Sequence, residues 1–123
     1  MTSSLASPSA AEAHLSAHVD TFARDHLPPL DEWPELVFDL PELQYPARLN
    51  CVAELLDRHV AEGRGERRAI LGGQHAWTYA GLQRQVDRIA HVLHADMGLV
   101  PGNRVLLRGA NCPSMAAAVL AVL

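Results

Sequence analysis

From its amino end, the chain alternates between helical stripes of apolar residues and stretches where proline or glycine breaks the pattern. Leu15, Val19 and Phe22 fall at i, i+4 and i+7, which predicts a helix from Ala11 to about His26, stopped by Pro28-Pro29. The Ser/Ala/Pro-rich residues before it predict a frayed end. From Leu30 to Leu49 the periodicity vanishes. Trp33-Pro34, Leu40-Pro41 and Tyr45-Pro46 each push the residue before proline towards extended backbone. The expectation is an irregular strap, pinned to a larger body by Trp33, Leu36, Phe38 and Tyr45. A helix returns after Asn50, a candidate N-cap. It carries Val52, Leu55, Leu56, His59 and Val60 on one side, and Gly63 and Gly65 end it.

The second half is more regular. Arg68–Leu71, then Gly72-Gly73, then Gln74–Tyr79 predicts a β-hairpin with a glycine turn. Leu82, Val86, Ile89, Ala90 and Leu93 form the clearest helical stripe of the chain, with Gln83, Arg84, Asp87, Arg88 and His91 mostly opposite. Thr78 is its candidate N-cap and Gly98 its C-cap. The capping-box position is Gly81, which has no side chain to reach back and costs up to about 1 kcal/mol in the first turn. Pro101-Gly102 reads as a turn, Arg104–Arg108 as a short buried strand, and Pro113 as the first residue of a last helix. Hairpin, helix, strand and helix in this order predict an α/β fold and the beginning of a mostly parallel sheet.

That last helix has no Gly or Asn to close it and no basic residue in its final turn. Leaving Val119, Leu120, Val122 and Leu123 in water would forgo roughly 1.5–3 kcal/mol of burial each. The expectation is a helix that continues, covered by further protein, in the N-terminal fragment of a larger domain.

Composition narrows the chemistry. With 123 residues and 49% hydrophobic content the chain is of ordinary globular character, and no stretch is apolar enough to cross a membrane. Met1–Ala13 lacks the basic cluster and hydrophobic run of a secretory signal. Cys51 and Cys112 belong to no metal-type or redox-type pair, so free thiols in a reducing cytoplasm are expected. The formal charge of −4 argues against a nucleic-acid partner. All ten basic residues are arginine. Without lysine, the chain by itself has no tunable amine for catalysis.

Candidate sites are few. His14 and His18, four apart on the first predicted helix, and His91 and His94, three apart on the long one, lack a third ligand at metal spacing. Gly63-Arg64-Gly65 and Gly72-Gly73 are too short for a phosphate cradle and read as turns. Gly109-Ala110-Asn111-Cys112 lies between a predicted strand and a helix N-terminus, where α/β sheets bind ligands; a plain connecting loop is the competing reading. No Ser/His/Asp or Cys/His set assembles. The expectation is therefore no catalytic, cofactor-binding or metal residue in this chain.

Longer strings carry a resemblance. Trp33-Pro34-Glu35-Leu36, Asp39-Leu40-Pro41-Glu42-Leu43-Gln44-Tyr45-Pro46 and Ala53-Glu54-Leu55-Leu56-Asp57-Arg58-His59-Val60 are similar to the N-terminal region of 2-aminobenzoate–CoA and benzoate–CoA ligases. So are Trp77-Thr78-Tyr79-Ala80, Arg88–Leu93 and Gly98-Leu99-Val100-Pro101-Gly102-Asn103-Arg104-Val105. The Asp-Leu-Pro-Glu-Leu-Gln-Tyr-Pro strap points to the aminobenzoate branch. The Thr-Tyr helix start and the Pro-Gly-Asn-Arg-Val turn mark the AMP-forming acyl-CoA synthetases in general. Gly81 stands where relatives usually carry Glu, and Asn103 where Asp is common elsewhere in the superfamily.

The resemblance implies a parent enzyme that joins an aromatic carboxylate to ATP as an acyl adenylate, with Mg²⁺ aiding the phosphates. Coenzyme A thiol then displaces AMP. It further implies an N-terminal helix and proline-rich strap over residues 1–48, and the start of the adenylate-forming domain over 49–123. The family's phosphate loop and catalytic lysine have no counterpart here, so the chain alone is expected to be inert and to bind none of these cofactors. The implied partners are the aromatic acid and the missing downstream part of the same domain, with neither membrane nor nucleic acid. Two rivals stand beside this reading: an aliphatic acyl-CoA synthetase, and a non-catalytic α/β interaction module.

Overall fold

The computed structural model describes residues 16–35, 37–46, 48–72 and 75–123. Its regular elements are the single turn α1 (Phe22–Asp25), the helix α2 (residues 51–64), strands β1 (Arg68–Gly72) and β2 (His75–Thr78), the long helix α3 (Tyr79–His91), and α4 (Pro113–Val122). Short 3₁₀ turns at Leu30–Glu32 and Pro41–Leu43 punctuate the strap.

Local chemistry explains the helix ends. The Asn50 side-chain oxygen accepts from the Ala53 amide at 2.9 Å, and the Thr78 hydroxyl accepts from the Gly81 amide at 3.1 Å, so both residues cap as their positions predict. Gly63 (φ 78°) stops α2 and Gly98 (φ 68°) stops the long helix. Beyond His91 the long helix widens over Val92–Asp96, and the Leu99 amide returns to the Leu93 carbonyl at 2.9 Å. Pro113 opens α4 at a position that needs no N–H.

Leu56, Leu82, Val86 and Ala117 form the buried centre, with Val52, Ala69, Ile70, Trp77, Tyr79, Ile89, Leu120 and Ala121 packed around it. The stripe of α3 is thus the inward face the periodicity predicts, and α4 lies along it. Polar ties hold the layers in register. Gln83 donates to Asp57 at 2.8 Å, and the Ala80 amide donates to the Gly65 carbonyl at 2.9 Å.

Several expectations are corrected. The helix from Ala11 to His26 shrinks, within the described residues, to the single turn α1, because the Val19 and Asp20 amides are spent on the Pro101 carbonyl at 2.8 and 3.0 Å. Leu15 lies outside the described residues, as does Leu36 of the strap. Trp33, Phe38 and Tyr45 are exposed rather than packed, and the Trp33 indole donates to the nearby Pro28 carbonyl at 2.9 Å. Leu55 is 60% exposed whereas Leu56 is 1% exposed. The cause is the width of α2 at Ala53–Asp57, a π-type turn in which the Arg58 amide reaches back to the Ala53 carbonyl and takes Leu55 off the side that Leu56 occupies.

The hairpin is present, yet Gly72 belongs to β1 and pairs with His75, and Gly73 falls outside the described residues. The pairing is antiparallel, with a bulge at Ala69, and no parallel pair exists among the described residues. Residues 104–108 form no strand. Leu106 is 92% exposed, and neither β1 nor β2 pairs with 104–108.

Candidate functional site

The described members of the glycine and histidine pairs assemble no metal site. Gly63 supplies the left-handed turn that closes α2, and Arg64 beside it donates to the His59 ring at 3.0 Å and ion-pairs with Glu62. The His59 ring packs on Tyr79 with centroids 4.3 Å apart, a contact that belongs to the α2–α3 junction. His14 lies outside the described residues. His91 is exposed, and His94 places Nδ1 3.2 Å from the Leu99 carbonyl at the end of the long helix. Among the described residues no group of three or more His, Cys, Asp or Glu side chains has the geometry to hold a metal ion. Cys51 and Cys112 are exposed free thiols.

The loop Gly109–Cys112 is exposed along its length and leads into α4. Cys112 makes no side-chain cap; its carbonyl takes the Met115 amide at 3.0 Å, and Pro113 has no amide to offer. The opening turn of α4 therefore presents fewer free donors than an ordinary helix start. Gly72 accepts the Pro113 ring so closely that a Cβ there would lie 3.3 Å from its Cγ. The loop is an exposed connection from the 104–108 segment to α4, and the hairpin meets the helix through Gly72 and Pro113.

A concavity lies elsewhere. A cleft of about 730 Å³ opens between the 16–18 segment, the start of α2, the end of the long helix and the last turn of α4. Leu93, Leu99, Val105 and Val122 give it apolar walls, while His18, Arg48, Cys51 and His94 are its ionisable side chains. Among the described residues no acidic side chain lines it.

Beside this cleft, sharing Asn103 with its lining, is a polar cluster that the sequence reading misses. Asp20 accepts from the Phe22 amide at 2.9 Å and from Asn103 Nδ2 at 2.8 Å, with Arg104 Nη2 3.9 Å away. Asn103 Oδ1 accepts from the Val100 amide at 3.0 Å, and the Arg104 guanidinium lies 3.9 Å over the Phe22 ring. The Phe22 amide, then Asn103, and more weakly Arg104 and His18 hold the Asp20 carboxyl below its ordinary range against an opposing cost of desolvation. Asp20 and Asn103 are 83 residues apart, so no local pattern could pair them.

The arrangement offers no nucleophile paired with a base, and the donor set does not fit Mg²⁺ or ATP, since it lacks a carboxylate cluster and the chain has no lysine. No step of chemistry is assigned to these side chains.

Comparison with known proteins supplies what the side chains do not. Residues 57–123 match the model of the AMP-binding enzyme family. An acetyl-coenzyme A synthetase from Deinococcus radiodurans is 33% identical over 114 residues, covering 76% of this chain and 17% of the relative. A benzoate–CoA ligase from Thauera aromatica is 31% identical over 67 residues, covering 54% of this chain and 13% of the relative. An acetyl-coenzyme A synthetase from Mycobacterium tuberculosis is 37% identical over 79 residues, covering 59% of this chain and 12% of the relative. No solved structure matches significantly. The chain belongs to the AMP-binding enzyme family, within the acyl-CoA synthetase superfamily, and spans less than a fifth of these relatives' length. The mixed helix-and-strand architecture is consistent with part of an AMP-binding domain. Among the described residues no helix is long and apolar enough to cross a membrane.

Proposed function

We propose that this chain is the N-terminal part of an ATP-dependent acid–CoA ligase that forms an acyl adenylate and then an acyl-CoA thioester. The observation that carries the reading is the family match over residues 57–123. In this reading residues 49–123 open the adenylate-forming domain and residues 1–48 form an extension ahead of it. The enzyme works with ATP, Mg²⁺ and coenzyme A in the cytoplasm. The phosphate-handling groups lie outside these 123 residues, and the chain alone is inert.

We take the acid to be aromatic, of the 2-aminobenzoate or benzoate type. The Asp39–Pro46 strap and the benzoate–CoA ligase among the relatives support this choice. A second reading, acetate or another short aliphatic acid, is favoured by the acetyl-coenzyme A synthetases that share more of the chain. The test starts from the DNA beyond codon 123. An open frame continuing into a Ser/Thr/Gly-rich loop with lysine is expected, and a stop codon there overturns the ligase reading. The continuous protein is then assayed for coenzyme A-dependent AMP release. Turnover on benzoate or 2-aminobenzoate above acetate is expected, and the reverse order replaces the aromatic reading with the aliphatic one.

A further inference from the structure

The segment at residues 18–22 lies outside the region matched to the family, yet it is fastened to a turn inside that region. Two main-chain bonds run from Val19 and Asp20 to the Pro101 carbonyl. The Asp20 carbonyl sits so close to Gly102 that an added Cβ would lie 2.0 Å from it. The side chains then close the contact asymmetrically. Asn103 uses its oxygen on its own turn, at Val100, and its nitrogen on Asp20. That division of labour requires an amide, because one end must accept while the other donates.

We propose that Asp20 and Asn103 form a polar latch that holds the N-terminal extension on the turn after the long helix, and that the amide at position 103 is what allows the latch to close. A carboxylate at 103 would still accept from Val100. Its second oxygen would face the Asp20 carboxylate across a hydrogen-bond distance, replacing attraction by like-charge repulsion. The charged groups that face Asp20 are Arg104 across the contact and His18 on its own segment. Because His18 and Asn103 both line the cleft, the latch also fixes that wall.

The sign of the pH dependence follows from the ionised form being favoured. The latch is complete above the ordinary carboxylate value of 3.8 and is lost as pH falls through the lowered one. An Asn103→Asp variant reverses this, since lowering the pH lets one of the two carboxyls take a proton and donate to the other.

The test is amide hydrogen exchange of the full chain at pH 7, followed at Val19 and Asp20 with the α3 amides as an internal reference for folding. Asn103→Asp is expected to speed exchange at Val19 and Asp20 by about tenfold, leaving α3 protected. Adding Asp20→Asn, which restores one donor and one acceptor across the contact, is expected to return exchange towards wild type. Unchanged exchange in Asn103→Asp overturns the latch, and so does a double variant that opens as fast as the single one. If Asn103→Asp also loses α3 protection, the double variant decides: recovery supports the latch and persistent loss overturns it.

Discussion

Gly81 and Gly102 both lack a side chain, with opposite consequences. Gly81 sits in the first turn of α3, where a Cβ would meet the Thr78 hydroxyl at 3.4 Å, an ordinary contact. Gly102 has φ 97°, and a Cβ there would collide with the Asp20 carbonyl. Gly81→Ala is expected to raise stability by about 0.5–1 kcal/mol through the helix preference of alanine. Gly102→Ala is expected to lower it by about 1–3 kcal/mol through backbone strain and the lost contact with residues 18–20. Urea midpoints of the two variants, moving in opposite directions from wild type, are the check. At this scale the sequence was legible wherever the partner was local. Asn50, Thr78, Gly98 and Pro113 perform the roles their neighbours dictate. The Asp20–Asn103 contact was not legible, because its partners meet only after the chain between them has folded.

Elements were legible to the extent that their turns are regular. The stripe on α3 follows the ordinary helical period, and Leu82 and Val86 are buried where that period puts them. On α2 the wide turns break the period, so Leu55 faces water and only its neighbour reaches the core. Leu56→Ala should therefore cost about 2–5 kcal/mol by opening a cavity. Leu55→Ala should stay within about 0.5 kcal/mol of wild type. Equal losses in thermal or urea unfolding would contradict the wide-turn geometry, because they would require both leucines to be inside. Capping admits a separate test on the next helix. Thr78→Ala should cost about 1 kcal/mol by stranding the Gly81 amide, read as a lowered midpoint in far-ultraviolet circular dichroism. The predicted strand at 104–108 failed for a different reason. An apolar run becomes a strand only if another strand bonds to it, and Val105-Leu106-Leu107 carries no information about such a partner.

For the molecule as a whole, the balance between covered and uncovered apolar surface decides its behaviour. Leu56 and Ala117 are essentially inaccessible, and Leu82 and Val86 complete the buried centre among the described residues. Against them stand Leu71, Met97, Leu106 and Leu123, all more exposed than covered. Ion pairs add little, since those of Arg58 with Glu54 and Glu62 are half in water. A centre of this size stabilises weakly, and uncovered apolar surface favours association. The isolated chain is therefore expected to bind an apolar fluorescent dye at pH 7 and to sediment as larger species as its concentration rises. A concentration-independent monomer that binds no dye would contradict this. It would favour the reading of a self-sufficient interaction module over that of a ligase part, because only a module has to remain stable and dispersed by itself.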